Sequence, residues 1–109
     1  MNKVLKMEVK QSLQVISRTG KYVVGYRQTL KELGRKKPVV VVASKKAEPT
    51  MLEAVKINAE AVGVPVLLTD LTPGELGLAL RKPFPTSFIA VLDPGSSDIV
   101  EQVGVEKSG

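Results

Sequence analysis

Apolar residues at Val9, Leu13 and Ile16 recur at i, i+4 and i+7, which predicts an amphipathic helix over Glu8–Arg18 that Gly20 stops. Tyr22–Val24 is a short apolar run closed by Gly25, read as a strand. Tyr26, Leu30 and Leu33 restore helical spacing up to Gly34. Beyond Pro38, the run Val39–Ala43 is apolar without alternation, as in a strand buried on both faces. Thr50 and Glu53 have capping-box spacing, and Leu52, Val55, Ala59 and Val62 make one helical face that ends at Gly63. Val64–Leu68 is the next strand, and Pro65 limits it to a sheet edge or a strand start. A second capping box, Thr72 to Glu75 with Pro73 at the first helical position, predicts a helix to about Leu80. Phe88–Leu92 is a wholly apolar strand, and Asp93-Pro94-Gly95 turns it toward a last helix capped near Ser97. Strands alternating with helices imply a mostly parallel sheet with helices on both faces.

With 109 residues, no internal repeat and no low-complexity linker, the pattern describes one domain, 1–109, with loose ends at 1–7 and 104–109. Hydrophobic residues make up 43% of the chain and aromatics only 4%, so the core must be built from Val, Leu, Ile and Ala. Cysteine and histidine are absent. That removes disulfides, thiolate nucleophiles, Cys/His zinc sites and imidazole acid–base chemistry. The first ten residues hold lysines but no signal-peptide-like apolar run, and no segment approaches 18 apolar residues, so a soluble intracellular protein is expected.

Charge changes the picture. Arg18–Lys46 holds nine basic residues against one acid, Glu32, a net +8, whereas residues 47–109 carry four basic and nine acidic groups, net −5. A domain with its cations gathered this way has a directed field that attracts polyanions, although a solvated basic face tuned for solubility has the same composition. Within the basic stretch, Gly25 is either a tight strand-to-helix turn or the opening of a helix whose free amides face an anion. The residues after it, Tyr26 and Arg27, exclude a P-loop, which needs Lys and Ser/Thr there. Arg27, Lys31 and Arg35 recur at i, i+4 and i+8 as a basic stripe, and Lys45 and Lys46 follow the buried strand. In a parallel α/β sheet the loops after strands share one edge, which would place Gly25–Arg27 beside Ser44–Lys46. Phe84, between Pro83 and Pro85, is either a loop anchor or a platform for an unstacked base. Asp70, Glu75, Asp93 and Asp98 read as turn formers or helix caps, and Ser44 lacks a base partner, so no enzymatic constellation emerges.

The block Thr19-Gly20-Lys21-Tyr22-Val23-Val24-Gly25-Tyr26-Arg27-Gln28-Thr29-Leu30-Lys31 resembles the opening of the L-thirty-e family of large-subunit ribosomal proteins of archaea and eukaryotes. The resemblance continues through Val39–Ser44, Gly74-Glu75-Leu76-Gly77, Lys82-Pro83-Phe84 and Val91–Ile99, in the same order, over about residues 11–102. It implies a three-layer α-β-α sandwich with a mixed, roughly four-stranded sheet. It also implies a non-enzymatic role in the cytoplasmic ribosome, binding kink-turn or related bent ribosomal RNA beside neighbouring ribosomal proteins. No cofactor, metal, membrane or small-molecule substrate is implied. Kink-turn binders of small guide-RNA particles or of translation regulation share these features, and a protein-interaction α/β module is the different-class alternative. By analogy the Val24-Gly25 turn and Arg27 meet the RNA backbone and its sheared G·A region, and Lys21 and Lys31 are further RNA-binding positions. Ser44, Lys45 and Lys46 lie at base edges, and Phe84, Pro85, Thr86 and Ser87 pack on a protruding base. One position departs from the family. Lys45 stands where asparagine is frequent, and a lysine only donates hydrogen bonds, which favours phosphate contact over base readout there.

Overall fold

In the computed structural model, which describes residues 2–101, the elements follow in the order α1 (Asn2–Thr19), β1 (Lys21–Val24), α2 (Tyr26–Gly34), β2 (Val40–Ser44), α3 (Pro49–Ala61), β3 (Val66–Thr69), α4 (Pro73–Ala79) and β4 (Phe88–Asp93). The chain turns helical again at Ile99, whose amide donates to the Ser97 hydroxyl at 3.2 Å, the cap expected there. Helix α1 starts at Asn2, ahead of Glu8, so residues 2–7 are helical where a loose end was expected. The tail 104–109 lies outside the described residues. No helix among the described residues is long and apolar enough to cross a membrane.

The sheet has the order β1-β4-β2-β3. Strand β2 pairs with β3 in parallel, while β4 is antiparallel to both β1 and β2. The expectation of a mostly parallel sheet therefore holds for direction alone: β1, β2 and β3 point one way, but only one parallel pair is hydrogen-bonded. The cause lies before β4. Helix α4 leads the chain away from the end of β3, and the segment 80–87 brings it back, with the Thr86 amide donating to the Pro73 carbonyl at 3.0 Å beside the start of α4. Strand β4 thus begins at the edge where the other three end, and runs against them. Pro65 stands just ahead of β3, an edge strand, as its missing N–H requires.

Helices cover both faces, which makes the three-layer α-β-α sandwich. On one face Val9, Leu13 and Ile16 of α1 and Leu76 and Ala79 of α4 pack with Val40, Val42, Ile89, Val91 and Ile99. On the other, Leu30 and Leu33 of α2 and Val55 and Ala59 of α3 pack with Val41, Ala43 and Phe88. Every residue of β2 is buried, in keeping with its unbroken apolar run. One cap differs from the pattern reading. Thr50 does not cap α3; the Glu48 carboxylate does, accepting from the amides of Thr50 and Met51 at 3.0 Å each, with Pro49 at the first helical position. The signal was legible, since Glu48 directly precedes that proline, but Ser/Thr/Asp/Asn preferences favour Thr50. The Thr72–Glu75 box is present in both directions, at 3.1 and 2.9 Å.

Candidate nucleic-acid interface

The ends of β1, β2 and β3 and the start of β4 meet at one sheet edge. The register places Val24 opposite Ile89, Ala43 opposite Phe88, and Ser44 beside Thr69. Backbone bonds lace the adjoining loops together: Gly25 N–H to Phe88 O at 2.8 Å, Ser44 N–H to Ser87 O at 3.0 Å and Lys45 N–H to Thr69 O at 2.9 Å. Four segments, around Gly25, Lys45, Asp70 and Pro85, therefore form one continuous rim. The loops after β1 and β2 converge as the sequence suggested. The segment before β4 joins them only because β4 runs backwards, a feature that local periodicity does not encode.

Gly25 sits at φ 100°, ψ 158°, a region open essentially to glycine. A Cβ there would meet no atom within 4 Å, so the restriction is conformational rather than steric. This bend starts α2 without a side-chain cap, whereas Glu48 caps α3 and Thr72 caps α4. The first amides of α2, at Tyr26, Arg27 and Gln28, consequently face the rim with no acceptor supplied by the N-cap side chain; that is a ready anion cradle at the positive end of a helix. The Tyr26 ring packs on Phe88 with centroids 5.8 Å apart, which fixes the first turn of α2 against the start of β4. Arg27 is exposed beside the cradle, and Lys31 is exposed one turn further along the helix.

Lys45 and Lys46 project from the loop after β2, and both are exposed. Lys45 Nζ is 3.3 Å from the Asp70 carboxylate, with the two side chains 55% and 44% exposed. The pair is solvent-screened and weak, but it partly neutralises Lys45 and leaves Lys46 the less encumbered cation. Asp70 was not singled out as a site residue by the sequence; its pairing with Lys45 depends on the parallel β2–β3 register.

Phe84 is 47% exposed, a large ring held on the surface. Its backbone packs on α4: the Phe84 carbonyl lies so close over Gly77 that a Cβ at that position would collide with it. Pro85 is exposed and Ser87 half-buried. Val24 is half-buried and packs on the core with its side chain, so only its backbone borders the rim.

Three of the expected site residues are placed otherwise. Ser44 is fully buried, its hydroxyl donating to Leu71 O at 2.7 Å and accepting from Lys46 N–H at 3.0 Å, so it braces the loop from within. Thr86 is 6% exposed and its hydroxyl donates to Phe88 O at 3.0 Å, again a brace. Lys21 opens β1 and pairs with Asp93, at the far edge of the sheet from Gly25. The glycine-lysine block is contiguous in sequence, but an extended strand separates its two ends.

Residues 7–101 match the model of the Ribosomal protein L7Ae/L30e/S12e/Gadd45 family. The large ribosomal subunit protein eL30 of Pyrobaculum islandicum is 33% identical over 97 residues, covering 89% of this chain and 96% of that protein. The eL30 of Methanocaldococcus jannaschii is 32% identical over 103 residues, or 94% of each. Among solved structures, the Giardia lamblia 15.5kD RNA binding protein superposes with a TM-score of 0.74 at 22% identity, covering 97% of this chain and 86% of that one, a likeness of fold. Match length, identity and architecture agree: the chain belongs to the Ribosomal protein L7Ae/L30e/S12e/Gadd45 family.

Proposed function

We propose that this protein is a structural constituent of the large ribosomal subunit, in the cytoplasmic ribosome, that binds and stabilises bent, kink-turn-like ribosomal RNA without catalysis. The observation that carries the reading is the uncapped, glycine-opened start of α2 on the same rim as Arg27, Lys46 and the exposed Phe84 ring. Phosphates of a bent strand fit the α2 amides and Arg27. The glycine bend, with no side chain, lets the RNA approach the backbone at Val24-Gly25. Phe84 and Pro85 offer an apolar shelf for a base splayed from the stack, with the polar Ser87 beside it. Lys46, with the partly neutralised Lys45 and the flanking Lys31, adds phosphate contacts. The eL30 relatives, named as large-subunit proteins and matched over nearly their full length, support the ribosomal assignment.

Sedimentation of the native protein through a sucrose gradient tests the assignment. Co-migration with the large subunit is expected; recovery on a small guide-RNA particle, or on a protein partner free of nucleic acid, overturns it. In vitro, with Lys45 partly neutralised by Asp70, about two to four phosphates are neutralised, so log affinity for a kinked RNA falls against log salt with a slope of about −2 to −4. A slope near zero removes this rim as the interface.

A further inference from the structure

The basic run Arg18–Lys46 does not gather at the rim just described; the fold divides it between the two edges of the sheet. At the opposite edge lie the segment 18–21 between α1 and β1, the segment 34–39 between α2 and β2, and the turn 93–95 after β4. The register of Lys21 with Asp93 and the bond from Val39 N–H to Val91 O at 2.8 Å hold these segments side by side. They carry Arg18, Lys21, Arg35, Lys36 and Lys37, all exposed, against Asp93 alone, a net +4. The segments of the first rim, 24–27, 44–48, 70–72 and 83–87, hold Arg27, Lys45 and Lys46 against Glu48 and Asp70, a net +1, or +2 with the flanking Lys31. The more basic edge is therefore the one the proposed interface leaves unused.

Neutralisation within the protein does not account for it. Arg35 is shared with Glu32 at 3.5 Å, and Arg18, Lys21, Lys36 and Lys37 have no ion-pair partner among the described residues. The C-terminal ends of α1 and α2 point here, and each contributes about half a negative charge, so together they offset only about one cation. Lys36 follows the C-cap of α2 at φ 57°, with its amide bonded to Leu33 O and the next amide, of Lys37, to Glu32 O. This is a left-handed helix stop that favours glycine, and the protein uses glycine at the matching stop of α3, Gly63 at φ 73°. At α2 a lysine takes that conformation instead, as Arg81 does at φ 60° after α4, so the left-handed stop adds an exposed cation here without by itself marking this edge.

We infer that this edge is a second RNA-binding surface, one that takes the phosphate backbone of a plain duplex, so that the domain joins two RNA segments. Exposed lysines and arginines on strand and helix ends suit phosphates. No aromatic residue lies in these segments for base stacking, and Val39, 39% exposed, is their one exposed large hydrophobic, so neither a single-strand platform nor the apolar anchors of a protein interface is present.

The test uses the full chain, a fluorescent plain RNA duplex and an unlabelled kinked RNA. Wild-type protein saturated with the kinked RNA is expected to capture the duplex as a ternary complex in a native gel at about 50 mM salt. The triple variant Arg18→Ser, Lys36→Gly, Lys37→Ser is expected to bind kinked RNA as before but to lose about tenfold or more in duplex capture, with the salt slope reduced by about two to three. Undiminished capture by the variant, or no ternary complex with wild type, overturns the proposal. Should wild type fail to bind the kinked RNA, the first-rim reading falls by itself, and duplex binding by free protein still decides this one. Lys36→Gly alone separates a charge role from a capping role. Duplex affinity is expected to fall while the melting temperature rises; a fall in both assigns Lys36 to the helix end and overturns its part in the surface.

Discussion

Ser44→Ala distinguishes a rim that is braced from within from one read directly by its serine. The hydroxyl makes two bonds, donating to Leu71 O at 2.7 Å and accepting from Lys46 N–H at 3.0 Å, and Ser44 is fully buried. Alanine orphans both partners. The Leu71 carbonyl belongs to a fully buried residue, and an unsatisfied buried acceptor costs about 1–3 kcal/mol. The Lys46 amide lies in a loop whose side chains are exposed, so water can replace its partner at a loss of about 0.5 kcal/mol. Together these come to about 1.5–3.5 kcal/mol. For a chain of 109 residues, at about 4 °C per kcal/mol, the melting temperature falls by about 6–14 °C. RNA affinity measured well below the transition should change little, because the hydroxyl does not reach the surface. Thermal denaturation by circular dichroism and titration with a kinked RNA on the same preparation provide both readouts. An unchanged melting temperature together with a large loss of affinity would refute the reasoning and return Ser44 to the RNA contact.

Thr29 is fully buried in α2 and its hydroxyl has no hydrogen-bond partner among the described residues, so Thr29→Val should raise stability by about 1 kcal/mol, read as a higher denaturant midpoint at unchanged m-value. A lowered midpoint would mean that the hydroxyl is satisfied. Glu48 accepts from the Thr50 and Met51 amides, and these bonds hold its carboxyl below the ordinary 4.5. A depressed folded value stabilises fully above 4.5 and is lost as pH falls through it, so the excess melting temperature of wild type over Glu48→Gln should be flat at neutral pH and shrink below 4.5. An excess that is the same at every pH would remove the charged cap. Phe84→Ala should weaken binding to a bulge-containing RNA by about 1–3 kcal/mol and leave both plain-duplex binding and the melting curve nearly unchanged, since the loop is seated through its carbonyl on Gly77. Equal losses on both RNAs with a lower melting temperature would make the ring a structural anchor.

The elements themselves were legible along the chain because each is a local decision. Helical spacing in Val9–Ile16 and Tyr26–Leu33, the unbroken apolar runs that became β2 and β4, and the Thr72–Glu75 box all depend on residues a few positions apart. Gly25 was legible for the same reason: a glycine between an apolar strand and a helix marks a bend only glycine adopts, whatever lies around it. The cap at Glu48 was missed because Thr50 and Glu53 also satisfy the local pattern, and the choice between two competent caps follows from where the chain enters α3. Tertiary structure alone decided the direction of β4, since that depends on how far the segment 80–87 travels before pairing starts, and periodicity contains no such distance. From that one reversal come the arrival of Phe84–Ser87 at the rim and the antiparallel pairing that sets Lys21 against Asp93 at the other edge. It also took the fold to bury Ser44 and Thr86, which in sequence are ordinary polar residues in basic or proline-rich loops. Charge shows the division most clearly. Composition establishes that residues 18–46 are strongly basic, but a strand and a helix that cross the sheet from edge to edge carry neighbouring cations to opposite ends of the molecule.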